Sequence, residues 1–252
     1  ECWTRPASAV AYWQTGVKNY NGFDSHLPSV MDFPVEEAIR QALEKDGKQW
    51  GEGLTRVYDA VAMDYLYGDV NNILLMLGNH DMDRIADVVM NQDPRRVKIA
   101  YTLLATMRGI PQVFYGDEYA MKSADRRMGH STLRMPLPLG EAVTAEMQDM
   151  FDYQSRLFQW RKGEKVIHTG RTMHFMSRDN TYAYFRYNDE EAAFVFVNAS
   201  EENRTIPTAN YAEILGKYNP VGMDVISGKT YDLSQKDIVI PALSSIVVKL
   251  NK

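Results

Sequence analysis

The chain has 252 residues, 45% of them hydrophobic and 24% charged, with a formal net charge of -5. That size and composition suit one large or two smaller globular domains, and an acidic chain with no Lys/Arg run interleaved with aromatics excludes a nucleic-acid partner. The single cysteine, Cys2, excludes an intrachain disulfide, and no apolar run reaches membrane-spanning length, so no membrane partner is expected. Along the chain, residues 29–34 form a short apolar run closed by Pro34. Pro34 suits the first turn of a helix, Glu36 and Glu37 favour its positive end, and Ile39, Ala42 and Leu43 give it an apolar face. Leu54, Val57, Tyr58, Val61 and Tyr65 recur at helical spacing before Gly68. A strand through Leu75 follows. Asp93-Pro94 reads as an N-cap with Pro at the first helical position, Val97, Ala100, Tyr101 and Leu104 share one stripe, and Gly109 with Pro111 stops that helix. Residues 112–115 read as the next strand, ending in Gly116-Asp117-Glu118. A loop rich in Gly, Pro, Arg and Met runs to about Gly140, and Val143, Met147, Met150, Phe151, Leu157 and Phe158 mark a long amphipathic helix ending near Gly163.

To this point strands and helices alternate, which implies parallel βαβ units. Beyond about Lys165 the texture changes. Segments 172–176, 182–187, 193–197, 223–226, 238–240 and 245–250 are short, rich in β-branched and aromatic residues, and separated by Asn, Asp, Gly and Ser, as in an antiparallel sandwich or barrel. The expected division is therefore 1–163 and 164–252. Three parallel strands cannot close a barrel, which needs eight, and both edges of a small open sheet would be bare. The first part is thus incomplete by its own pattern, while the antiparallel strands are complete within the chain and are expected to stay folded regardless.

The most informative stretch is residues 73–85, ILLMLGNHDMDRI. An apolar run without helical period ends abruptly in Gly78-Asn79-His80-Asp81, as a buried parallel strand does when it delivers polar residues at its C-terminal edge. In α/β barrels the chemistry sits at that edge. Asp81 and the opening carboxylate, Glu1, are the two acidic candidates. Glycoside hydrolysis needs two carboxyls flanking the scissile bond, and further acidic groups can hold sugar hydroxyls and stabilise the oxocarbenium-like transition state.

The set SVMDFP, LLMLGNHDMDR and IPQVFYGDEYAM, in this order and spacing, resembles the α-amylase family of glycoside hydrolases, and its neopullulanase and cyclomaltodextrinase branch in particular. LFQWRKGEKVIHTGRTMHF, TYAYFRYN and AAFVFVNAS resemble the C-terminal β-sandwich of that branch. The resemblance implies the C-terminal portion of a (β/α)8 TIM barrel, about strands 6 to 8 with their helices, followed by an antiparallel β-sandwich domain. It implies that Glu1 stands at the end of the fifth barrel strand as general acid/base. Asp81 then stands at the end of the seventh as the transition-state-stabilising aspartate, with His80, Trp3, Asn79 and Arg84 binding substrate. The family's nucleophilic aspartate lies on the fourth strand, so it is expected upstream of Glu1, and the chain alone is expected to be inactive. The implied substrate is an α-glucan oligosaccharide, and the implied protein partner is the N-terminal half of the same barrel, or else a second copy of the chain.

No cofactor is implied. His26, His130, His168 and His174 show no metal-ligand spacing, and no loop shows calcium-ligand spacing. Asp117 and Glu118 read as structural, and Asp125, Arg126 and Arg127 as a surface ion-pair cluster. A non-catalytic, amylase-like carbohydrate-binding or accessory protein is the first alternative, opposed by the retained Glu1 and Asp81. A His-Asp metal phosphohydrolase ranks below it, because no partner histidines converge on the dyad. No signal peptide is visible, and the compartment stands between the periplasm and the cytoplasm of a bacterium.

Overall fold

A computed structural model describes residues 1–45 and 47–252, with the backbone alone at residues 126–128. Among the described residues the first part carries six α-helices, α1 (Ala7–Ala11), α2 (Phe33–Glu44), α3 (Thr55–Val61), α4 (Ile85–Val88), α5 (Pro94–Thr106) and α6 (Ala145–Gly163). Its strands are β1 (Leu74–Met76) and β2 (Ile110–Gln112), paired in parallel with Leu74 opposite Ile110 and Met76 opposite Gln112. On the other side of β1, Met31 makes a parallel bridge to Leu74. The three successive parallel segments are thus side by side in chain order, a short arc of barrel. Asp32, just past the first of them, caps α2 by accepting from the Val35 amide at 3.2 Å. Its other oxygen meets the buried Arg108, which also holds Asp64 at 2.5 Å, so one guanidinium ties the ends of three segments together.

Several boundaries depart from the sequence reading. The stripe from Leu54 to Tyr65 ends as an α-helix at Val61, and Tyr65 lies in a 3-10 turn with its ring in water. The strand expected over 112–115 is displaced to Ile110–Gln112, because pairing runs out where β1 ends. Gly109 stops α5 as anticipated. Its φ is +97°, and a Cβ there would lie 2.6 Å from the Ile73 carbonyl oxygen.

A short helix α7 (Lys165–Thr169) leads into the antiparallel region. Its strands are β3 (Arg171–Arg178), β4 (Thr181–Tyr187), β5 (Glu191–Asn198), β6 (Arg204–Pro207), β7 (Val221–Asp224), β8 (Thr230–Asp232), β9 (Asp237–Ile240) and β10 (Ser244–Asn251), with α8 (Ala212–Leu215) between β6 and β7. Six of them form one sheet in the order β3-β4-β5-β10-β7-β8, and β6 pairs with β9. The sequence reading lacked β6 and β8, which are four and three residues long and carry too few apolar residues to show a period.

The central strands are buried on both faces. Phe185, Phe194, Phe196, Ile246 and Val248 pack against β6, β9 and α8. The alternate residues Tyr182, Tyr184, Val195, Val197 and Val247 join a core that also contains Val57, Leu103, Leu104 and Leu157 from α3, α5 and α6. Tyr184 and Thr106 share a hydrogen bond of 2.5 Å across that seam. The antiparallel part therefore shares its core with the barrel helices. Among the described residues no helix is long and apolar enough to cross a membrane.

Candidate active site

Beyond β1 the backbone continues through Leu77 and Gly78 and turns at Asn79-His80-Asp81. The turn is built by Asn79, whose Oδ1 accepts from the Asp81 amide at 2.8 Å, an Asx turn. Asn79 is buried, and its Nδ2 points at Glu1 Oε1, 3.5 Å away. One amide side chain thus links the Glu1 carboxylate to the backbone of the turn that carries Asp81. From below, α2 clamps the loop. Arg40 donates to the Asp83 carbonyl at 2.5 Å and to the Leu77 carbonyl at 3.5 Å, and it is steered by Glu36, which accepts from its Nε at 2.7 Å. Glu36 was expected only to complement the helix end. It is in fact buried, and burial pushes its carboxyl up to about 7 despite the adjacent Arg40.

The Asp81 carboxylate is partly exposed and meets three cationic or titratable groups. His80 Nε2 lies 3.2 Å from one oxygen, and Arg134 Nη2 and His130 Nδ1 lie 3.2 and 3.5 Å from the other. His80 itself is exposed. Trp3 is 54% exposed, with its indole 4.6 Å from the Phe33 ring at the start of α2. Glu1, Trp3, Asn79, His80 and Asp81 therefore stand at the same end of the strand arc. His130 and Arg134 were not anticipated. They lie in a loop without period, and only the folded chain brings them to Asp81.

Arg84 does not face this site, which corrects its expected role in substrate binding. Its side chain is fully enclosed: it donates to the Tyr115 carbonyl at 2.8 Å, to Asp117 Oδ1 at 2.6 Å and to the Leu133 carbonyl at 2.7 Å, under the Phe114 ring. A buried arginine with those partners braces the loop after β2 and cannot reach a sugar. Burial of Asp117 pushes its carboxyl up to about 6 even with Arg84 beside it. The side chains of Arg126 and Arg127 lie outside the described residues. Among the described residues, no three His, Cys, Asp or Glu side chains converge in a way that could hold a metal ion.

An acid beside a strand end, a second carboxylate paired with Arg134 and flanked by two histidines, and an exposed indole at the same end of the arc make a site suited to a sugar. Comparison with known proteins decides the family. The α-amylase catalytic-domain model matches residues 11–209. The chain belongs to the α-amylase family. The cyclo-malto-dextrinase C-terminal domain model matches residues 172–249 of this α-amylase family chain. Among curated members of the family, a cyclomaltodextrin glucanotransferase of Niallia circulans is 27% identical over 197 residues, which cover 75% of this chain and 26% of that protein. An α-amylase from the same organism is 27% identical over 224 residues, covering 84% of this chain and 40% of that one. The fold matches the crystal structure of an Anoxybacillus α-amylase with a TM-score of 0.76 at 15% identity, over 99% of this chain and 51% of that one. A cyclic α-maltosyl-(1→6)-maltose hydrolase from Arthrobacter globiformis gives 0.68 at 20% identity, over 89% and 44%. The family fold is thus present here as part of the TIM barrel followed by the β-sandwich domain, and the chain spans about a quarter to a half of the relatives it matches.

Proposed function

We propose that the chain is the C-terminal part of a retaining α-glucan hydrolase acting on α-1,4 linkages of maltodextrin, cyclodextrin or pullulan, with α-1,6 linkages as the second option. Glu1 is the general acid/base, Asp81 stabilises the positive charge that develops on the sugar ring, and His80, Asn79 and Trp3 hold the sugar. Residues 1–163 belong to the catalytic barrel and 164–252 to the sandwich. The observation that carries the reading is the Asn79 side chain, which bonds the turn holding Asp81 and reaches Glu1. A retaining mechanism also needs a nucleophilic carboxylate roughly 5–5.5 Å from the acid. We assign that group to the other half of the barrel, so the chain alone carries no turnover. The same half pairs with the open sides of the arc, where Ile110 and Val113 are exposed.

The test is Asp81→Asn in the complete enzyme. The change keeps shape and removes a charge that matters only as the oxocarbenium ion forms, so kcat on maltodextrin falls by about 100-fold or more while the melting temperature stays within a few degrees. Turnover near that of the unaltered enzyme rules the assignment out.

A further inference from the structure

Between the loop joining α2 to α3 and the sandwich lies a groove of about 1000 Å3, at the upper end of small-molecule sites, which run to roughly 300–1000 Å3. One wall is residues 47–59, and the other is the β3–β4 hairpin with residues 200–204. None of Glu1, Trp3, Asn79, His80 and Asp81 lines it. Its walls are locked together by Asn180 at the hairpin tip. The Asn180 side chain is buried, its Oδ1 accepts from the Leu54 amide at 3.0 Å, and its Nδ2 donates to the Ala199 carbonyl at 3.2 Å. Gly47 and Gly53 receive it with φ of +65° and +58°, and a Cβ on Gly47 would come within 2.9 Å of that amide. The groove is therefore preformed.

On its rim Trp50 is 100% exposed. A whole indole in water gains nothing from packing, and it offers a flat apolar face of the kind that covers the C–H face of a sugar ring. The rest of the lining is polar. Glu52, Asp59 and Asp179 can accept from hydroxyls, and Arg178 and Arg204 can donate. Glu202 pairs with Arg204 at 3.2 Å and Glu201 with Arg96 at 3.5 Å, which holds that side of the network in place. Among the described residues, five carboxylates against three cations line the groove. That balance disfavours phosphates and nucleic acids, and it suits a neutral ligand rich in hydroxyls.

We infer that this groove is a second carbohydrate site, which binds a neutral α-linked gluco-oligosaccharide against Trp50 away from the catalytic cleft. The α-linkage rests on the function proposed above, whereas the position of the site and the neutral polyol class rest on the groove itself. Titration calorimetry of the chain with maltoheptaose, with cellohexaose as the control sugar, tests it. Binding of maltoheptaose is expected, weakened at least tenfold by Trp50→Ala. Trp50 is fully in water, so its removal leaves folding intact. Binding that survives Trp50→Ala and is lost in Trp3→Ala puts the sugar in the cleft and overturns the groove while leaving the proposed function standing. Trp50-dependent binding of cellohexaose alone overturns the α-linked assignment. No binding of either sugar overturns the proposal, and Asp81→Asn in the complete enzyme tests the function independently.

Discussion

Glu36 carries a cost that depends on pH. Its carboxyl sits up at about 7 against an ordinary 4.5, because burial opposes the charge more than Arg40 supports it. A carboxyl raised in the folded state binds protons that the unfolded chain releases, so its contribution to stability is full below about 4.5 and lost as pH rises through about 7. Glu36→Gln mimics the protonated form. It is expected to change the melting temperature little at pH 5 and to gain on the unaltered chain by pH 8, as read by thermal melts at both values. An equal difference at the two pH values contradicts this. The residue scale is also where the sequence was least legible. Asp81, His80 and Asn79 were found because an apolar strand announces its polar end. Arg84, three residues beyond Asp81, shares that stretch of sequence and points the other way, into a pocket made by residues 30 to 50 positions distant. His130 and Arg134 reach Asp81 through a loop with no periodic signal, so only tertiary structure reveals them.

At the scale of elements, α5 and β2 are joined by a tight turn whose carbonyls have one buried partner. Arg161, near the end of α6, donates to the carbonyls of Ala105 at 2.8 Å, Met107 at 3.1 Å and Gly109 at 2.5 Å. Among the described residues no carboxylate pairs with it, and burial lowers its guanidinium to about 10. Arg161→Met keeps much of the apolar stem and leaves three carbonyls without a donor in the interior. At roughly 1–3 kcal/mol for each buried group left unpaired, a loss of about 3 kcal/mol or more is expected by urea unfolding. A loss under about 1 kcal/mol shows that the turn does not depend on Arg161. The elements themselves were mostly legible. Pro34 and Pro94 sit where helices begin, each behind an aspartate that caps its helix, and Gly109 sits where one must stop. The long α6 was placed by its apolar spacing to within two residues at its start, and at Gly163 at its end. Short edge strands such as β8 escaped, since three residues hold no period.

At the scale of the whole molecule, the arc of three parallel segments and the sandwich are one packed body. The six-stranded sheet has no solvent face at its centre: α3, α5 and α6 cover one side, and β6, β9 and α8 the other. This was hidden in the sequence for a physical reason. Strands buried on both faces read as continuous apolar runs, and the run AAFVFVN of β5 does not say which neighbour covers which side. The open sides of the arc have the opposite consequence. Ile110, Val113 and Tyr115 are each at least 37% exposed beside β2, and self-association of the chain is expected by light scattering unless the other barrel half is present. The shared core makes a sharper prediction, and the chain carries its own reporters for it. Its four tryptophans, Trp3, Trp13, Trp50 and Trp160, all precede Lys165, whereas the long strands all follow it. Trp50 is already in water and Trp3 and Trp13 are exposed, so the fluorescence change follows Trp160 of α6, and the far-UV β-sheet signal follows the sandwich. If Tyr182, Tyr184, Val195 and Val247 bind the two parts as tightly as their complete burial implies, the two signals change together along a urea titration, with one midpoint. Thr106→Val, which removes the hydrogen bond to Tyr184, is expected to move both curves to lower urea by the same amount. A sandwich signal that persists after the Trp160 fluorescence has changed shows instead that the strands beyond Gly163 fold without the helices.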